Sequence, residues 1–370
     1  MSFVESASLD QRFMSLALAL GRRGLGNTWP NPAVGAVVVR HDGEPIIVGR
    51  GWTQPGGRPH AETEALRRAG AAARGATLYA TLEPCSHHGK TPPCTDAIMA
   101  AGIARVVSAI EDPNALAGRG HALLRASGIA VDVGVCAAEA RRAHAGHIRN
   151  VCDHRPHVSL KLAVSADGKT GLAGRKPAPI TGEPARARVH LMRAMNDAIL
   201  IGIGTALADN PQLTCRLPGM ASRSPVRVVL DADLRLPVAS ALVRSARETP
   251  VWVIASETAP TEVEAVLAAR GVEVFRLPAT GRRIDSALRV LAERGITRLM
   301  VEGGPTVAAA LVAADLVDEA VLLRGPSPIG VDGIDALEAM PLSALTDSPK
   351  LRSLGVETIG ADTIETFERA

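Results

Sequence analysis

The residue types best suited to chemistry in this 370-residue chain lie between positions 60 and 94. His60-Ala-Glu62 stands where a Gly- and Pro-rich loop meets a helical pattern, and Cys85 follows an apolar strand pattern. Eight residues separate Cys85 from Cys94, where another helical pattern begins. One imidazole and two thiolates predict a tetrahedral zinc site with an open fourth position, which is typical of catalytic rather than structural zinc.

Glu62 lies two residues from His60 and is not needed as a fourth ligand. A carboxylate so placed can take a proton from water activated by zinc and deliver it to a leaving group. Two alternatives stay open. The His-Cys-Cys set could hold a structural zinc ion with His87 or His88 as its fourth ligand, or a short motif of this kind could bind no metal at all.

The second half of the chain carries three strings that follow strand patterns. Ile199–Arg216 contains Gly202-Ile-Gly204 but lacks the third glycine of the dinucleotide-binding fingerprint. Val301–Thr306 follows a strand and opens a helix, so its backbone N–H groups could bind a phosphate or pyrophosphate. Leu160–Lys169 ends the first strand of this half. Each string alone gives only modest support for a ligand-binding site, because glycine-containing turns after strands are also ordinary strand-to-helix connections.

Composition excludes several classes of protein. With 46% hydrophobic and 21% charged residues the chain is globular rather than disordered. A net charge of +3 and 2% aromatic residues argue against a nucleic-acid-binding surface. No apolar run reaches the length of a membrane span, and five cysteines argue against a disulfide framework. We therefore expect a cytoplasmic protein.

Alternating strand and helix patterns before and after the polar segment Arg149–His157 predict two α/β domains, at 1–150 and 151–370. The apolar run Phe13–Leu20 predicts a first helix capped by Ser8 or Asp10. Residues 206–211 are predicted to form a loop, and residues 351–368 two further strands at an antiparallel edge.

The pattern H-x-E followed by P-C…C resembles the cytidine deaminase superfamily of zinc-dependent deaminases. The longer string TLEPCSHHGKTPPC, together with Asn31-Pro-Ala-Val-Gly35, resembles the deaminase half of the RibD family of bifunctional riboflavin-biosynthesis enzymes. The resemblance implies that His60, Cys85 and Cys94 bind zinc, that Glu62 shuttles the proton, and that Asn31, His87 and Lys90 bind substrate.

Some of these positions have simpler interpretations. Asn31 precedes Pro32, where Asn is favoured in ordinary turns, and Lys90 alone could be a solvated loop lysine. Thr53 stands where members of the family often have a histidine seven residues before the zinc-binding His60. That departure puts one substrate contact in doubt.

The three strings of the second half, in this order, resemble the reductase half of the same family, whose dihydrofolate-reductase-like fold binds NADPH without the glycine fingerprint. The resemblance implies cofactor contacts from Ala163, Thr205, Asp209, Gly304, Pro305 and Thr306. It implies substrate contacts from Arg193, Leu213, Arg216 and Glu302, with Lys161 also near the pocket. Asp209 is the leading candidate for assisting hydride transfer, although an Asp before Asn210-Pro211 could simply form an Asx turn.

This half departs from the family at Pro177, Pro179 and Ser327, where relatives often have Ser, Trp and a basic residue. An aromatic cofactor contact is missing at Pro179. These differences leave room for an alternative in which the second domain is a scaffold without catalytic activity. A nucleic-acid deaminase with an accessory domain is the other alternative.

The resemblance covers essentially the whole chain. It implies a cytidine-deaminase-like three-layer α/β/α domain followed by a dihydrofolate-reductase-like α/β domain. The implied function is zinc-dependent deamination of a diamino-phosphoribosylamino-pyrimidinone and then NADPH-dependent reduction of its ribosyl group. We expect one zinc ion per chain, NADPH, a small-molecule substrate, no binding to nucleic acid or membrane, and a homo-oligomer.

Overall fold

The computed structural model describes residues 3–176, 178–278, 283–338 and 340–370. The chain divides into two units between His154 and Arg155, inside the polar segment predicted as the boundary. Most of that segment is nevertheless helical, because a helix continues to Asp153 before the next strand begins at His157. No helix in the described residues combines the length and apolar character needed to cross a membrane.

The first unit is a five-stranded sheet with helices on both faces. Its strands are β1 Gly35–Arg40, β2 Ile46–Trp52, β3 Thr77–Ala80, β4 Arg105–Ser108 and β5 Ala130–Val133. Its helices are α1 Phe3–Gly21, α2 Ala61–Ala69, α3 Cys94–Ala100, α4 Gly120–Ala126, α5 Ala137–Ala143 and α6 Ala145–Asp153. The order is β2-β1-β3-β4-β5; β1 is antiparallel to both neighbours, whereas β3, β4 and β5 are parallel.

Two glycines show how closely the helices approach this sheet. Gly35 and Gly51 lie one register position apart on the paired strands β1 and β2, so they face opposite sides of the sheet. A Cβ atom on Gly35 would lie 1.8 Å from the Ala17 carbonyl oxygen in α1. One on Gly51 would lie 2.4 Å from the Ala61 carbonyl oxygen in α2. The sheet is therefore sandwiched between α1 and α2, with backbone packed against backbone.

The predicted capping of the first helix is wrong. The helix begins at Phe3, so Ser8 and Asp10 lie inside it. Asp10 is buried, and its carboxylate accepts hydrogen bonds from the Tyr79 hydroxyl at 2.7 Å and the Arg105 guanidinium at 2.8 and 2.9 Å. These distant partners satisfy the carboxylate, which leaves no role for it as a local cap.

The second unit contains a nine-stranded sheet and a small two-stranded one. Its strands are β6 His157–Val164, β7 Lys169–Gly171, β8 Ala198–Gly202, β9 Val226–Leu230, β10 Val251–Ser256, β11 Val272–Leu277, β12 Arg298–Val301, β13 Glu319–Arg324, β14 Ile334–Asp335, β15 Leu351–Ile359 and β16 Asp362–Arg369. Its helices are α7 Glu183–Ala194, α8 Ile203–Asp209, α9 Ala241–Arg244, α10 Thr261–Ala269, α11 Arg283–Glu293, α12 Pro305–Ala313 and α13 Ser343–Thr346.

The large sheet has the order β11-β10-β9-β8-β12-β6-β13-β16-β15. The strands from β11 to β13 are parallel. Strand β16 is antiparallel to β13, and β15 is antiparallel to β16, which confirms the predicted antiparallel edge. The chain moves outward from β8 to β11 and then returns to insert β12 beside β8. The carboxyl ends of β8 and β12 therefore border a crevice of the kind where ligands bind in open α/β sheets.

The predicted loop at residues 206–211 is wrong for most of its length, because α8 extends to Asp209. The helix stops there since Asn210 adopts a left-handed conformation, with φ 42°, and Pro211 follows. Asn210 also accepts a hydrogen bond from the Ala241 amide at 2.7 Å through its side-chain oxygen. The Asn-Pro pair marks the end of a short helix rather than an extended loop.

Candidate active sites

The structure brings His60, Cys85 and Cys94 together in the first unit. His60 is the residue before α2, Cys85 lies in the loop after β3, and Cys94 begins α3. The His60 Nδ1 atom lies 3.6 Å from Cys85 Sγ and 3.3 Å from Cys94 Sγ. All three ligand atoms lie within 4.8 Å of one another. Both helix starts thus direct their first side chains to one point.

This donor set fits a zinc ion. With Zn–S of about 2.3 Å and Zn–N of about 2.0 Å, a tetrahedral ion separates nitrogen from sulfur by about 3.5 Å, close to both observed distances. The Cys94 backbone N–H also donates to Cys85 Sγ at 3.3 Å. Hydrogen bonds from Cys94 and His60 lower the pKa of Cys85 to about 4, so this sulfur is a thiolate at neutral pH. In the described residues the group comprises three ligands, which leaves a fourth position open.

Glu62 lies in the first turn of α2, next to the ligand group, and its side chain is buried. Burial raises the pKa of Glu62 to about 7. A carboxyl group that gains and loses a proton near neutral pH is well matched to general acid–base work.

Asn31 is tied to the loop that leads to His60. Its side-chain amide donates to the Gly57 carbonyl oxygen at 3.3 Å, and a Cβ atom on Gly57 would lie 2.0 Å from Asn31 Nδ2. Thr53 is buried, and its hydroxyl accepts from the Val34 N–H at 3.0 Å and donates to a backbone carbonyl at 3.0 Å. At the position where the resemblance implies a histidine, Thr53 therefore fixes the backbone between Asn31 and strand β1.

The two histidines after Cys85 lie at the surface. His87, His88 and Lys90 are all exposed, and His88 lies 3.8 Å from the Asp96 carboxylate. Neither histidine belongs to the ligand group in the described residues, so the structure does not favour a four-ligand structural site. His87 and Lys90 remain predicted substrate contacts on an exposed loop.

Sequence reasoning gave no role to Glu83, which the structure shows to be a buried anchor for the loop that carries Cys85. Its carboxylate accepts hydrogen bonds from the backbone N–H groups of Asp112, Arg119 and His121 at 3.1, 3.1 and 2.8 Å. A glutamate between an apolar strand and a proline was the available signal, since a charged residue there needs buried partners.

In the second unit, a cavity of about 370 Å³ opens beside the carboxyl ends of β6, β8 and β12. The three strings singled out in the sequence all contribute to it. Their lining positions are Lys161, Ala163, Thr205, Asp209, Leu213, Arg216, Glu302, Gly304 and Pro305, joined by Arg193 from α7. A neighbouring cavity of about 180 Å³ shares several of them and adds Thr306. All predicted contacts of this half therefore surround two adjoining cavities.

Arg193 and Glu302 form a buried, bidentate ion pair at the base of the cavity. The Arg193 Nε and Nη2 atoms donate to the two Glu302 carboxylate oxygens at 2.5 and 2.8 Å. Lys161 Nζ lies 3.9 Å from the same carboxylate. Although burial acts to raise it, the pKa of Glu302 is lowered by Arg193 and Lys161, whereas burial lowers the pKa of Lys161. Arg193 is thus already paired with an acid.

Arg216, Asp209 and Leu213 surround the cavity mouth. The Arg216 residue is exposed. Partial desolvation of its guanidinium group, together with the nearby positive charge of Arg193, lowers the pKa of Arg216. Burial raises the pKa of the Asp209 carboxyl group, which forms no Asx turn in the described residues. Leu213 is buried with φ 56°, a strained conformation of the kind that clusters at ligand sites.

Two of the positions where this half departs from the pattern that the resemblance implies, Pro179 and Ser327, lie near the cavity. Pro179 is among its lining residues and also borders a further cavity with Ser327. The Ser327 carbonyl oxygen accepts from the Ala166 N–H at 3.1 Å. Pro177 lies outside the described residues.

Each of the two units matches a known protein family. The family described as "Cytidine and deoxycytidylate deaminase zinc-binding region" matches residues 7–110. The family described as "RibD C-terminal domain" matches residues 156–364. These ranges contain the zinc-type ligand group and the two adjoining cavities, respectively.

Similar proteins span the whole chain. The riboflavin biosynthesis protein RibD of Aquifex aeolicus is 40% identical over 98% of this chain and 99% of its own length, and that of Escherichia coli is 39% identical over 95% and 97%. The crystal structure of a diaminohydroxyphosphoribosylaminopyrimidine deaminase/5-amino-6-(5-phosphoribosylamino)uracil reductase from Thermotoga maritima superposes with a TM-score of 0.85 at 36% identity, covering 99% of this chain and 100% of that one. The chain belongs to the RibD family of riboflavin-biosynthesis enzymes, which join a deaminase domain to a reductase domain.

Proposed function

We propose that the first unit removes the exocyclic 2-amino group of 2,5-diamino-6-(5-phosphoribosylamino)pyrimidin-4(3H)-one. The observation that carries this proposal is the ligand group His60, Cys85 and Cys94 with a buried carboxyl group beside it. These three residues would hold one zinc ion per chain. The ion, when bound, supplies Lewis-acid activation of a water molecule.

The chain's own residues account for the proton transfers. Glu62, with a pKa of about 7, accepts a proton from the attacking water and delivers it to the ring nitrogen. It then takes the proton of the new hydroxyl group on the ring carbon and delivers it to the amino group, which leaves as ammonia while the carbonyl group forms. Asn31, fixed by its bond to Gly57, holds the pyrimidine edge. His87 and Lys90, on the exposed loop, reach the ribose phosphate, where a cation suits a dianion.

We propose that the second unit then reduces the ribosyl group of the deaminated product to a ribityl group. NADPH, when bound, supplies the hydride. Ala163, Thr205 and Gly304 line the cavity of about 370 Å³, where the nicotinamide end of the cofactor would lie. The nine-residue helix α12 begins beside it, after two glycines with φ 120° and 78°, and its N-terminal amides suit the pyrophosphate.

Different side chains at the cavity bind different parts of the substrate. Because Arg193 is engaged by Glu302, the more exposed Arg216 is the better placed of the two to bind the substrate phosphate. The Arg193–Glu302 pair presents a fixed polar wall to the sugar hydroxyls. Asp209, whose pKa is raised by burial, orients the open-chain sugar or relays a proton to it.

A stepwise assay of the zinc-analysed protein tests both halves. The diamino-phosphoribosyl substrate is supplied with and without NADPH, and the products are identified by mass. We expect ammonia release without NADPH and a gain of two hydrogens once NADPH is added. Ammonia release without reduction would instead support a scaffolding role for the second unit. Binding of RNA that persists at physiological salt would support a nucleic-acid deaminase.

A further inference from the structure

The loop of residues 210–216, between α8 and β9, carries three residues of the substrate cavity. Pro211, Leu213 and Arg216 all line the cavity of about 370 Å³, and Arg216 is the residue proposed above to bind the substrate phosphate. The loop is irregular along its whole length, so its buried backbone groups must find partners outside a helix or strand. Whatever holds this loop in place therefore decides where Arg216 lies.

Leu213 shows that the loop needs support from outside. It is buried with φ 56°, a conformation that a residue with a branched side chain rarely adopts. Such a conformation persists only where the surrounding structure fixes the backbone. The structure shows this support on either side of Leu213, because the carbonyl oxygens of Gln212 and Thr214 each accept a hydrogen bond from an arginine.

The two arginines differ in where they lie. Arg193 lines the cavity, donates to the Thr214 carbonyl oxygen at 3.1 Å and also pairs with Glu302. Arg227 donates to the Gln212 carbonyl oxygen at 3.2 Å, but it is fully buried and is not among the described residues that line the cavity. It is the second residue of β9, inside the unit. Arg227 therefore supports the loop from the protein interior.

Arg227 also connects the loop to α9. Its Nη1 and Nη2 atoms donate to the hydroxyl and carbonyl oxygens of Ser245, the residue after α9, at 2.8 and 3.0 Å. The first amide of the same helix, that of Ala241, donates to the Asn210 side chain at the start of the loop. Helix α9 is thus joined to both Asn210 and Gln212, directly at its first residue and through Arg227 at its end.

The surroundings of Arg227 are unfavourable for a residue whose role is only to stabilise the core. Although burial lowers the pKa of Arg227 to about 10, the guanidinium group is still charged at neutral pH. In the described part of the chain its acceptors are three backbone carbonyl oxygens and one hydroxyl group, and its Nε atom has no partner. A well-packed apolar side chain often stabilises such a position as well or better. The planar fork instead fixes several carbonyl groups in one geometry.

We propose that Arg227 is a positioning residue of the reductase, which together with α9 fixes the 210–216 loop so that Arg216 can bind the substrate phosphate. The inference rests on the proposed reductase function. Because Arg227 lies in the interior, its effect on substrate binding must pass through the loop. Loss of the fork should therefore weaken binding of the phosphorylated substrate without changing cofactor binding or deamination.

A double-mutant cycle on the full-length protein tests this inference. The KM values for the deaminated intermediate and for NADPH are measured for the wild type, Arg227→Lys, Arg216→Gln and the double variant. We expect Arg227→Lys to raise the KM for the intermediate by about 10-fold or more, because an ammonium group lacks the planar fork. The double variant should have the same KM as Arg216→Gln alone, since the two substitutions remove one contact.

Two further variants separate positioning from a loss of stability. Arg369→Met, on β16, removes an arginine that also donates to backbone carbonyl oxygens, those of Asp315 and Val317. It should lower the urea midpoint and leave both KM values unchanged. Asn210→Gly releases the loop from α9 at its other attachment and should raise the KM for the intermediate by a smaller factor. If Arg227→Lys does not fold, Asn210→Gly takes its place in the cycle.

Two results would overturn the inference. In the first, the variant in the cycle loses stability, as Arg369→Met does, and keeps the wild-type KM for the intermediate. In the second, its effect on that KM adds in full to the effect of Arg216→Gln. In both cases the wild type still reduces the intermediate, and the proposed reductase function stands. If the wild type does not reduce the intermediate with NADPH, the reductase function fails together with this inference.

Discussion

The ligand group of the first unit and the cavities of the second differ in how much of the chain builds them. The first needs three side chains whose ligand atoms lie within 4.8 Å of one another, all from the 35-residue segment from His60 to Cys94. The second needs residues from β6 to α12, because its proposed ligands are large. A small ion is held by a short motif, whereas a dinucleotide and a sugar phosphate need a whole sheet edge.

The two sites also differ in how they handle charge. The first places Cys85, a thiolate, and a buried acid around one point, an arrangement that a divalent cation would neutralise. The second has already paired its buried charges, Arg193 with Glu302. The first site therefore depends on its metal, and the second depends on an internal ion pair. Substitutions should separate these dependences.

The largest effect is expected from Cys85→Ser. Loss of one thiolate from a three-ligand site removes zinc, and deamination should fall on the order of 10³-fold or more, because the metal's activation of water is lost. Reduction of the supplied deaminated intermediate should persist. Zinc content and ammonia release measure the first effect, and NADPH oxidation measures the second. Cys152→Ser, at an exposed cysteine, is the control. Loss of both activities would contradict the independence of the two sites.

Glu62→Gln should keep the zinc and lose the proton transfer. We expect deamination to fall by about 10²–10⁴-fold with one zinc ion still bound, which separates this variant from Cys85→Ser. The matched control is Glu64→Gln on the same helix, where the native carboxylate pairs with Arg67 and Arg68 instead. Normal turnover by Glu62→Gln would rule out this carboxyl group as the proton shuttle.

Glu302→Gln should weaken the second unit in both stability and activity. It leaves the buried Arg193 charge without its partner, which costs about 3–5 kcal/mol, and it removes the polar wall proposed for the substrate. Urea unfolding in a Trp29→Phe/Trp52→Phe background lets Trp252 report on the second unit. Glu357→Gln breaks the exposed pair with Arg188 and should cost less than about 1 kcal/mol. Equal effects of the two substitutions would contradict the buried pair's importance.

The site built from a short segment could be predicted from the sequence more completely than features whose partners are far apart in the chain. His60, Cys85 and Cys94 were identified from spacing alone, and the structure places their ligand atoms together, because both helix starts lie close in sequence to the strand end. The role of Asp10 was missed because its partners Tyr79 and Arg105 are 69 and 95 residues away. Local capping rules contain no information about such partners.

The sequence predicted which residues line the second site but not how they pair with one another, because the partners are far apart in the chain. Arg193 and Glu302 were both predicted to contact substrate, but their mutual pairing spans 109 residues and left no local signal. Helix α8 was missed because Asn210-Pro211 indicates a break without showing whether a loop or a helix precedes it.

The pH dependence of stability should distinguish the Arg193–Glu302 pair from an ordinary surface contact. Because Arg193 and Lys161 hold the folded-state pKa of Glu302 below its usual value, the pair stabilises the fold above about pH 4.3, the unfolded value. That contribution is lost as the pH falls through the lowered folded-state pKa. The stability difference between the wild type and Glu302→Gln should therefore be largest near neutral pH and shrink under acid conditions. A difference that grows on acidification would contradict the pairing.

The smallest effect is expected from Thr53→Val, which tests whether the first site depends on more than its motif. Valine keeps the shape of threonine but removes the hydroxyl group that accepts from the Val34 N–H and donates to the Pro32 carbonyl oxygen. The Val34 N–H still donates to Pro32 at 3.1 Å, so we expect a cost of only about 0.5–1.5 kcal/mol. Since Val34 follows the Asn31 loop, we expect a raised KM for deamination, unchanged zinc content and unchanged reduction. Thr53→Ser retains the hydroxyl group and should behave as the wild type. If KM also stays unchanged in Thr53→Val, this hydroxyl group stabilises the fold without positioning Asn31.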